Sequence, residues 1–96
     1  MIDSILSKTE TLFFIRMDGC EACEAAMPEV DKFTSKHPRT MVLTIDANGP
    51  IPDQLGVNVR ATPTWVFRRG QDAVVKVGFM KVTEIEKWIK HLGGTL

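Results

Sequence analysis

The only two cysteines in the chain stand two residues apart, in the segment "TLFFIRMDGCEACEAAMPEV". The run over residues 11–17 is apolar and short enough to be a buried strand, and the dipeptide "DG" that follows it is a turn signal. From about residue 20 to residue 36, apolar residues recur with the period of a helix. The sequence therefore predicts a strand, a tight turn and a helix whose first turn carries Cys20 and Cys23.

Two cysteines at this spacing on a helix lie on one face, close enough for a disulfide bond. The free backbone N–H groups of a first turn and the positive end of the helix dipole stabilise a thiolate. We expect Asp18 or Gly19 to cap the helix. Cys20, nearer the helix tip, is then the exposed nucleophile, and Cys23 is the buried cysteine that resolves a mixed disulfide.

Three other interpretations of the cysteine pair remain to be weighed. A structural zinc site needs about four ligands, and only His37 and His91 could add to the two cysteines. A permanent staple would close a very short loop and remove little chain entropy. Two unconnected thiols would not need this strand–turn–helix placement. A redox-active pair is the favoured interpretation.

The remaining hydrophobic patterns predict alternating helices and strands. The first two strands are joined by a helix, which implies a parallel crossover, whereas the last two form a hairpin through Gly70. Large aromatic residues on apolar faces usually pack in the core, and we expect this of Trp65 and Trp88. The predicted elements are helix 2–8, strand 11–17, helix 20–36, a buried strand 40–46, a short helix near "PDQLG", strands 64–69 and 73–79, and helix 82–92 with Thr83 as its cap.

Composition limits the classes of partner. The 96 residues suit a single domain spanning residues 1–96, and 12 basic side chains balance 12 acidic ones. No basic field attracts nucleic acid or an anionic membrane. The N-terminal residues lack the pattern of a secretory signal, so we expect a monomeric cytoplasmic protein.

The segment "DGCEAC", after a strand and opening a helix, resembles the active site of the thioredoxin family. The resemblance covers roughly residues 11–92. Pro28 lies where thioredoxins carry a proline in the active-site helix, and "RATPT" is similar to the family's cis-proline loop, with Pro63 as the candidate cis residue. The segment "VGF", with Gly78, matches the third substrate-facing loop of the family.

This resemblance implies an α/β thioredoxin-like fold, with a mixed central sheet of about four strands, helices on both faces, and the usual first strand missing. It also implies a thiol–disulfide oxidoreductase that acts on disulfides of client proteins, is recycled by an upstream enzyme like thioredoxin reductase, and needs no metal or organic cofactor. The site residues it implies are Cys20 as nucleophile, Cys23 as resolving cysteine, and Gly19, Glu21, Ala22, Thr62, Pro63, Val77 and Gly78 as substrate-binding residues.

The sequence also departs from the family pattern. Gly19 stands in place of the tryptophan before the first cysteine, and Glu21-Ala22 replace the usual Gly-Pro. The buried aspartate that assists proton transfer in typical thioredoxins falls at Phe14, and its lysine partner falls near Val42. These departures keep a second hypothesis open, a thioredoxin-fold binding module without turnover. A third, a glutaredoxin-like enzyme that uses glutathione, lacks the Gly-Gly-Asp segment expected after the hairpin.

Overall fold

The computed structural model describes residues 10–96, so the helix predicted over residues 2–8 lies outside the described residues. Three helices and four strands follow one another along the chain, in the order expected from the sequence. They are β1 (Glu10–Arg16), α1 (Glu21–Lys36), β2 (Met41–Asp46), α2 (Ile51–Gln54), β3 (Thr64–Arg69), β4 (Asp72–Val77) and α3 (Val82–His91).

The four strands form one mixed sheet in the order β2-β1-β3-β4. β1 runs parallel to β2, with Thr11 opposite Met41, because α1 carries the chain back between them. β3 is antiparallel to both β1 and β4. The predicted mixed α/β sheet is thus confirmed, and β1, which leads to the cysteines, lies at its centre.

The helices α1 and α3 pack together on one face of this sheet, where they enclose the larger core. The side chains there are apolar and almost fully buried, which makes hydrophobic burial the main stabilising contribution. This cluster consists of Leu12, Phe14, Cys23, Ala26, Val30, Phe33, Trp65, Phe67, Met80, Ile85 and Ile89.

The opposite face of the sheet carries a smaller apolar cluster. Phe13, Ile15 and Val66 project from the strands and meet Val57, which follows the single turn of α2. Alternate residues of β1 therefore enter two different cores, as the two-residue period of a strand requires. A central strand buried on both faces explains the unbroken apolar run "LFFI".

The strand β2 is not the buried strand that its sequence suggested. Met41 is 50% exposed and Leu43 is 43% exposed, and β2 lies at an edge of the sheet. An apolar run indicates a strand, but the burial of that strand depends on its neighbours. The last strand was predicted over residues 73–79, whereas β4 covers Asp72–Val77 and is exposed throughout.

The helix α3 begins two residues earlier than a Thr83 cap would allow. Val82 is already helical and Lys81 is the capping position. The carboxylate of Glu84 accepts a hydrogen bond from the Lys81 backbone N–H at 3.2 Å, so an acidic side chain in the first turn satisfies the backbone donor of the capping residue. No helix within residues 10–96 is long and apolar enough to cross a membrane.

A charged contact ties the end of α1 to α3. His37 Nε2 lies 2.6 Å from Glu86 Oε2, and Lys36 Nζ lies 3.1 Å from the same oxygen. The His37 ring also packs on Phe33, with 4.7 Å between ring centroids. The hydrogen bond with His37, and then that with Lys36, holds the pKa of Glu86 below its usual value. The ionised carboxylate is therefore the form that stabilises the fold.

Replacing Glu86 with glutamine should destabilise the protein at neutral pH. Loss of charge-assisted hydrogen bonds costs about 1 kcal/mol, which corresponds to a fall in Tm of roughly 4–8 °C for a domain of this size. Because the pKa of Glu86 is lowered by folding, its contribution is present at neutral pH and is lost as the pH falls below about 4.5. Thermal melts of E86Q and the parent protein should converge at acid pH. D31N, at an exposed position of α1, is the control and should leave Tm unchanged.

Candidate active site

The turn between β1 and α1 places Cys20 at the tip of the helix. Gly19 has a φ of +77°, a left-handed conformation that glycine adopts without strain. Cys20 is itself the N-cap residue, with extended backbone angles, and its sulfur accepts a hydrogen bond from the Cys23 N–H at 3.1 Å. The expectation that Asp18 or Gly19 caps the helix is therefore wrong, because the reversal at Gly19 turns the Cys20 sulfur over the first turn.

Cys20 and Cys23 are joined by a disulfide bond, with their Cα atoms 5.2 Å apart. Cys20 is half-buried, whereas Cys23 is fully enclosed in the core beside Ala26. A second molecule can therefore approach only the Cys20 sulfur. This asymmetry is what an attacking and a resolving cysteine require.

A proline loop forms the second wall of the site. The Thr62–Pro63 peptide bond is cis, which confirms the geometry predicted for Pro63. The carbonyl oxygen of Thr62 lies 3.4 Å from the Cys20 sulfur. The Thr62 backbone thus stands directly beside the reactive sulfur, where an extended peptide could align with it.

The loop after β4 is hydrogen-bonded to this proline loop. The Gly78 N–H donates to the Pro63 carbonyl at 2.9 Å, and Gly78 has a φ of +107°. The segment containing Gly78 therefore meets the cysteines and the cis proline in one place, although about sixty residues separate Gly78 from Cys20 along the chain.

The buried side chain of Trp65 contacts the loop that contains Gly78. Its Nε1–H donates to the Gly78 carbonyl at 2.7 Å, and its ring lies against Phe14, with 4.8 Å between centroids. The sequence predicted a core residue, which is correct, but it did not assign Trp65 this positioning role. The available signal was chemical, since a buried indole N–H usually finds an acceptor.

The other predicted substrate-binding residues surround the disulfide at different depths. Gly19, Glu21 and Val77 are exposed, and Ala22, Thr62 and Gly78 are partly buried. Their roles toward a substrate stay predictions.

Phe14, which falls where the resemblance to thioredoxins places a buried acid, is fully buried in the cluster that includes Cys23. An apolar ring can neither accept nor deliver a proton. Within residues 10–96, no group of three or more His, Cys, Asp or Glu side chains is placed to hold a metal ion. The groups that the structure brings together at the site are the two sulfurs and the backbone around them.

Known proteins resemble this chain in sequence and in fold. Thioredoxin H4-2 from Oryza sativa subsp. japonica is 29% identical over 73 residues, which cover 76% of this chain and 55% of the rice protein. The chain thus spans about half the length of that curated relative. No protein-family model matches the sequence.

Solved thioredoxin structures superpose on most of the chain. Thioredoxin-2 of a malaria parasite matches with a TM-score of 0.75 and 21% identity, over 86% of this chain and 82% of its own. Oxidised mitochondrial thioredoxin 3 from Saccharomyces cerevisiae matches with a TM-score of 0.74 and 19% identity, over 94% of this chain and 86% of its own. Chloroplastic thioredoxin z matches with a TM-score of 0.74 and 18% identity, over 90% of this chain and 80% of its own. The fold is thioredoxin-like, and the resemblance predicted from the sequence is confirmed.

The variant W65F should test the positioning role of Trp65. Phenylalanine keeps an aromatic ring in the core but leaves the Gly78 carbonyl without its donor, which costs about 1–3 kcal/mol in unfolding free energy. We expect the cis-proline and Gly78 loops to exchange amide hydrogens faster than in the parent protein, while α3 is unaffected. W88F, which alters an aromatic residue at the periphery of the same cluster, is the matched control. Uniformly faster exchange in W65F would instead indicate a purely structural tryptophan.

Proposed function

We propose that this protein is a thiol–disulfide oxidoreductase that reduces or exchanges disulfides in client proteins. The observation that carries the proposal is the disulfide at the N-terminus of α1, with Cys20 accessible beside a cis proline and Cys23 buried. The likeness to thioredoxins in fold and in the position of the pair supports the same function.

In the reducing direction, the Cys20 thiolate attacks one sulfur of a client disulfide. A mixed disulfide forms, and the other client sulfur leaves as a thiolate that takes up a proton. Cys23 then loses its proton and attacks the Cys20 sulfur, which releases the second client thiol. The client gains two electrons and two protons, and the Cys20–Cys23 disulfide is regenerated.

The backbone of the site contributes to both steps. In the reduced protein, the Cys23 N–H that contacts the Cys20 sulfur at 3.1 Å favours a thiolate there, together with the helix dipole. The backbone of Thr62, which lies beside the Cys20 sulfur, offers a client a short antiparallel pairing that aligns its sulfur with Cys20. Because Phe14 replaces an acid, the Cys23 proton leaves through water or through Glu21.

We further propose the substrates, the recycling enzyme and the cellular compartment of this cycle. Client proteins containing disulfides are the substrates, and an enzyme like thioredoxin reductase supplies the electrons that return the pair to the dithiol. A reducing role suits the cytoplasm, where thiols are kept reduced. Co-purification of a reductase with the C23S variant would support this partner.

Reduction of insulin by the protein with dithiothreitol tests the proposed activity. We expect turnover by the parent protein and a loss of at least 10²-fold in C20S, because the attacking sulfur is absent. C23S should attack but not resolve, so it should accumulate a mixed disulfide visible by mass spectrometry. An inactive parent protein would contradict the proposal.

The charge of Glu21, next to the reactive sulfur, should set the redox potential. A carboxylate disfavours the thiolate and hence the reduced form, so we expect a potential nearer the ~−270 mV of thioredoxin than the ~−120 mV of DsbA. E21Q should shift it by about +10 mV and make Cys20 react faster with iodoacetamide near neutral pH. E24Q, one turn further along α1, is the control and should shift the potential less. Equal shifts would exclude a local effect of Glu21.

A thioredoxin-fold binding module without turnover is the second candidate. The observation that favours it is the fully buried Phe14, since an apolar residue there removes a route for the proton of Cys23. Binding of a cysteine-containing peptide with no insulin reduction would identify such a module. Efficient reduction of glutathione mixed disulfides would instead indicate the glutaredoxin-like alternative.

A further inference from the structure

The strand β4 leaves an edge of the sheet uncovered. It lies last in the order β2-β1-β3-β4, and all six of its residues are exposed. Val74 is 40% exposed and Val75 is 47% exposed. Among residues 10–96, no strand pairs with its outer side. An apolar edge strand with free backbone groups is a template for pairing with another strand.

We propose that β4 pairs antiparallel with β4 of a second copy of this chain, with Val74 opposite Val74 of the partner subunit. The two four-stranded sheets then form one continuous sheet of eight strands across a two-fold axis. This proposal is independent of the redox function, and it replaces the monomer expected from the sequence.

Charge complementarity selects this register. In an antiparallel pair, two opposed residues either both direct their backbone N–H and C=O groups toward the neighbouring strand or both direct them away from it. A two-fold axis between two copies of one strand must therefore pass through a residue that lies opposite itself. Centring on Val74 sets Asp72 opposite Lys76 of the partner subunit, and the symmetry repeats that pair. Directly opposed charges of unlike sign stabilise a strand pair.

The neighbouring registers lose these ion pairs. Centring on Ala73 places Asp72 opposite a valine, and centring on Val75 places Lys76 opposite a valine. Each of them leaves both charges without a partner across the interface. The pattern Asp-x-Val-x-Lys is thus self-complementary in one register only.

The faces of β4 are consistent with this pairing. Val74 lies opposite Phe67 of β3, so it projects from the face covered by α1 and α3, whereas Val75 lies opposite Val66 and projects from the other face. Pairing would bury Val74 against its own symmetry mate. It would also set each Val75 against Ala73 of the partner subunit, so both faces gain apolar contact.

The pairing leaves Cys20 and the cis-proline loop uncovered, although Val77, a predicted substrate-binding residue, lies at its end. In this register Val77 lies opposite Gln71 of the partner subunit, so the pairing ends where β4 ends. Gly78, Pro63 and Cys20 lie beyond that end. Dimer formation and disulfide exchange should therefore be separable by mutation.

Analytical ultracentrifugation of the full chain tests the proposal. A six-residue edge buries a small area, which is typical of a weak interface, so we expect a monomer–dimer equilibrium over roughly 10 µM to 1 mM. K76E replaces both ion pairs with repulsive pairs and should weaken association about tenfold or more. D72K should do the same.

The double variant D72K/K76E decides between a specific pairing and a general charge effect. It restores an attractive pair with exchanged signs, so its dissociation constant should return to within about threefold of the parent value. K87E, the same charge change at an exposed position of α3, should dimerise normally. Unchanged thermal melts would show that each variant is folded.

Two results would overturn the proposal. One is a parent protein that remains monomeric at the highest concentration. The other is a dimer that K76E does not weaken or that the double variant does not restore, since the contact would then lie elsewhere on the surface.

Discussion

The hydrogen bond from the Cys23 amide to the Cys20 sulfur is the contact on which the geometry of the site depends. It exists because Cys20 caps α1 and because Cys23, one turn further on, is anchored in the core. The turn at Gly19 sets the direction in which the chain enters α1, and β1, which leads to that turn, lies inside the sheet. The same residues therefore end a strand, begin a helix and set the electrostatic environment of a sulfur. None of these tasks requires a group from outside the chain.

The proline-loop side of the site is supported by residues that also belong to the hydrophobic core. The indole of Trp65 packs on Phe14 and donates to Gly78, whose amide in turn holds Pro63. Phe14 adds an apolar ring to this support, and that ring cannot carry a proton. The residues that shape this side of the site therefore also belong to the core.

Much of this arrangement could be predicted from the sequence, because it depends on local patterns. The apolar run of β1, the glycine turn and the periodicity of α1 identified the strand, the turn and the cysteine pair. Burial of β2 could not be predicted, since whether Met41 and Leu43 have neighbours is decided by strand order. The capping positions were missed for a different reason: Cys20 and Lys81 occupy them, and neither is one of the residue types that usually mark an N-cap. The hydrogen bond of Trp65 joins a residue of β3 to the loop after β4, and only the folded chain shows it.

The enclosure of Cys23 has a consequence for oxidative damage. A small oxidant reaches Cys20 and converts it to a sulfenic acid, but the neighbouring thiol lies within bonding reach and expels that oxygen as water. Further oxygenation, which ends in irreversible acids, has to compete with this intramolecular closure. The buried sulfur of Cys23 thus protects Cys20 from irreversible oxidation. After exposure to peroxide, the two cysteines form a disulfide that a reductant can cleave.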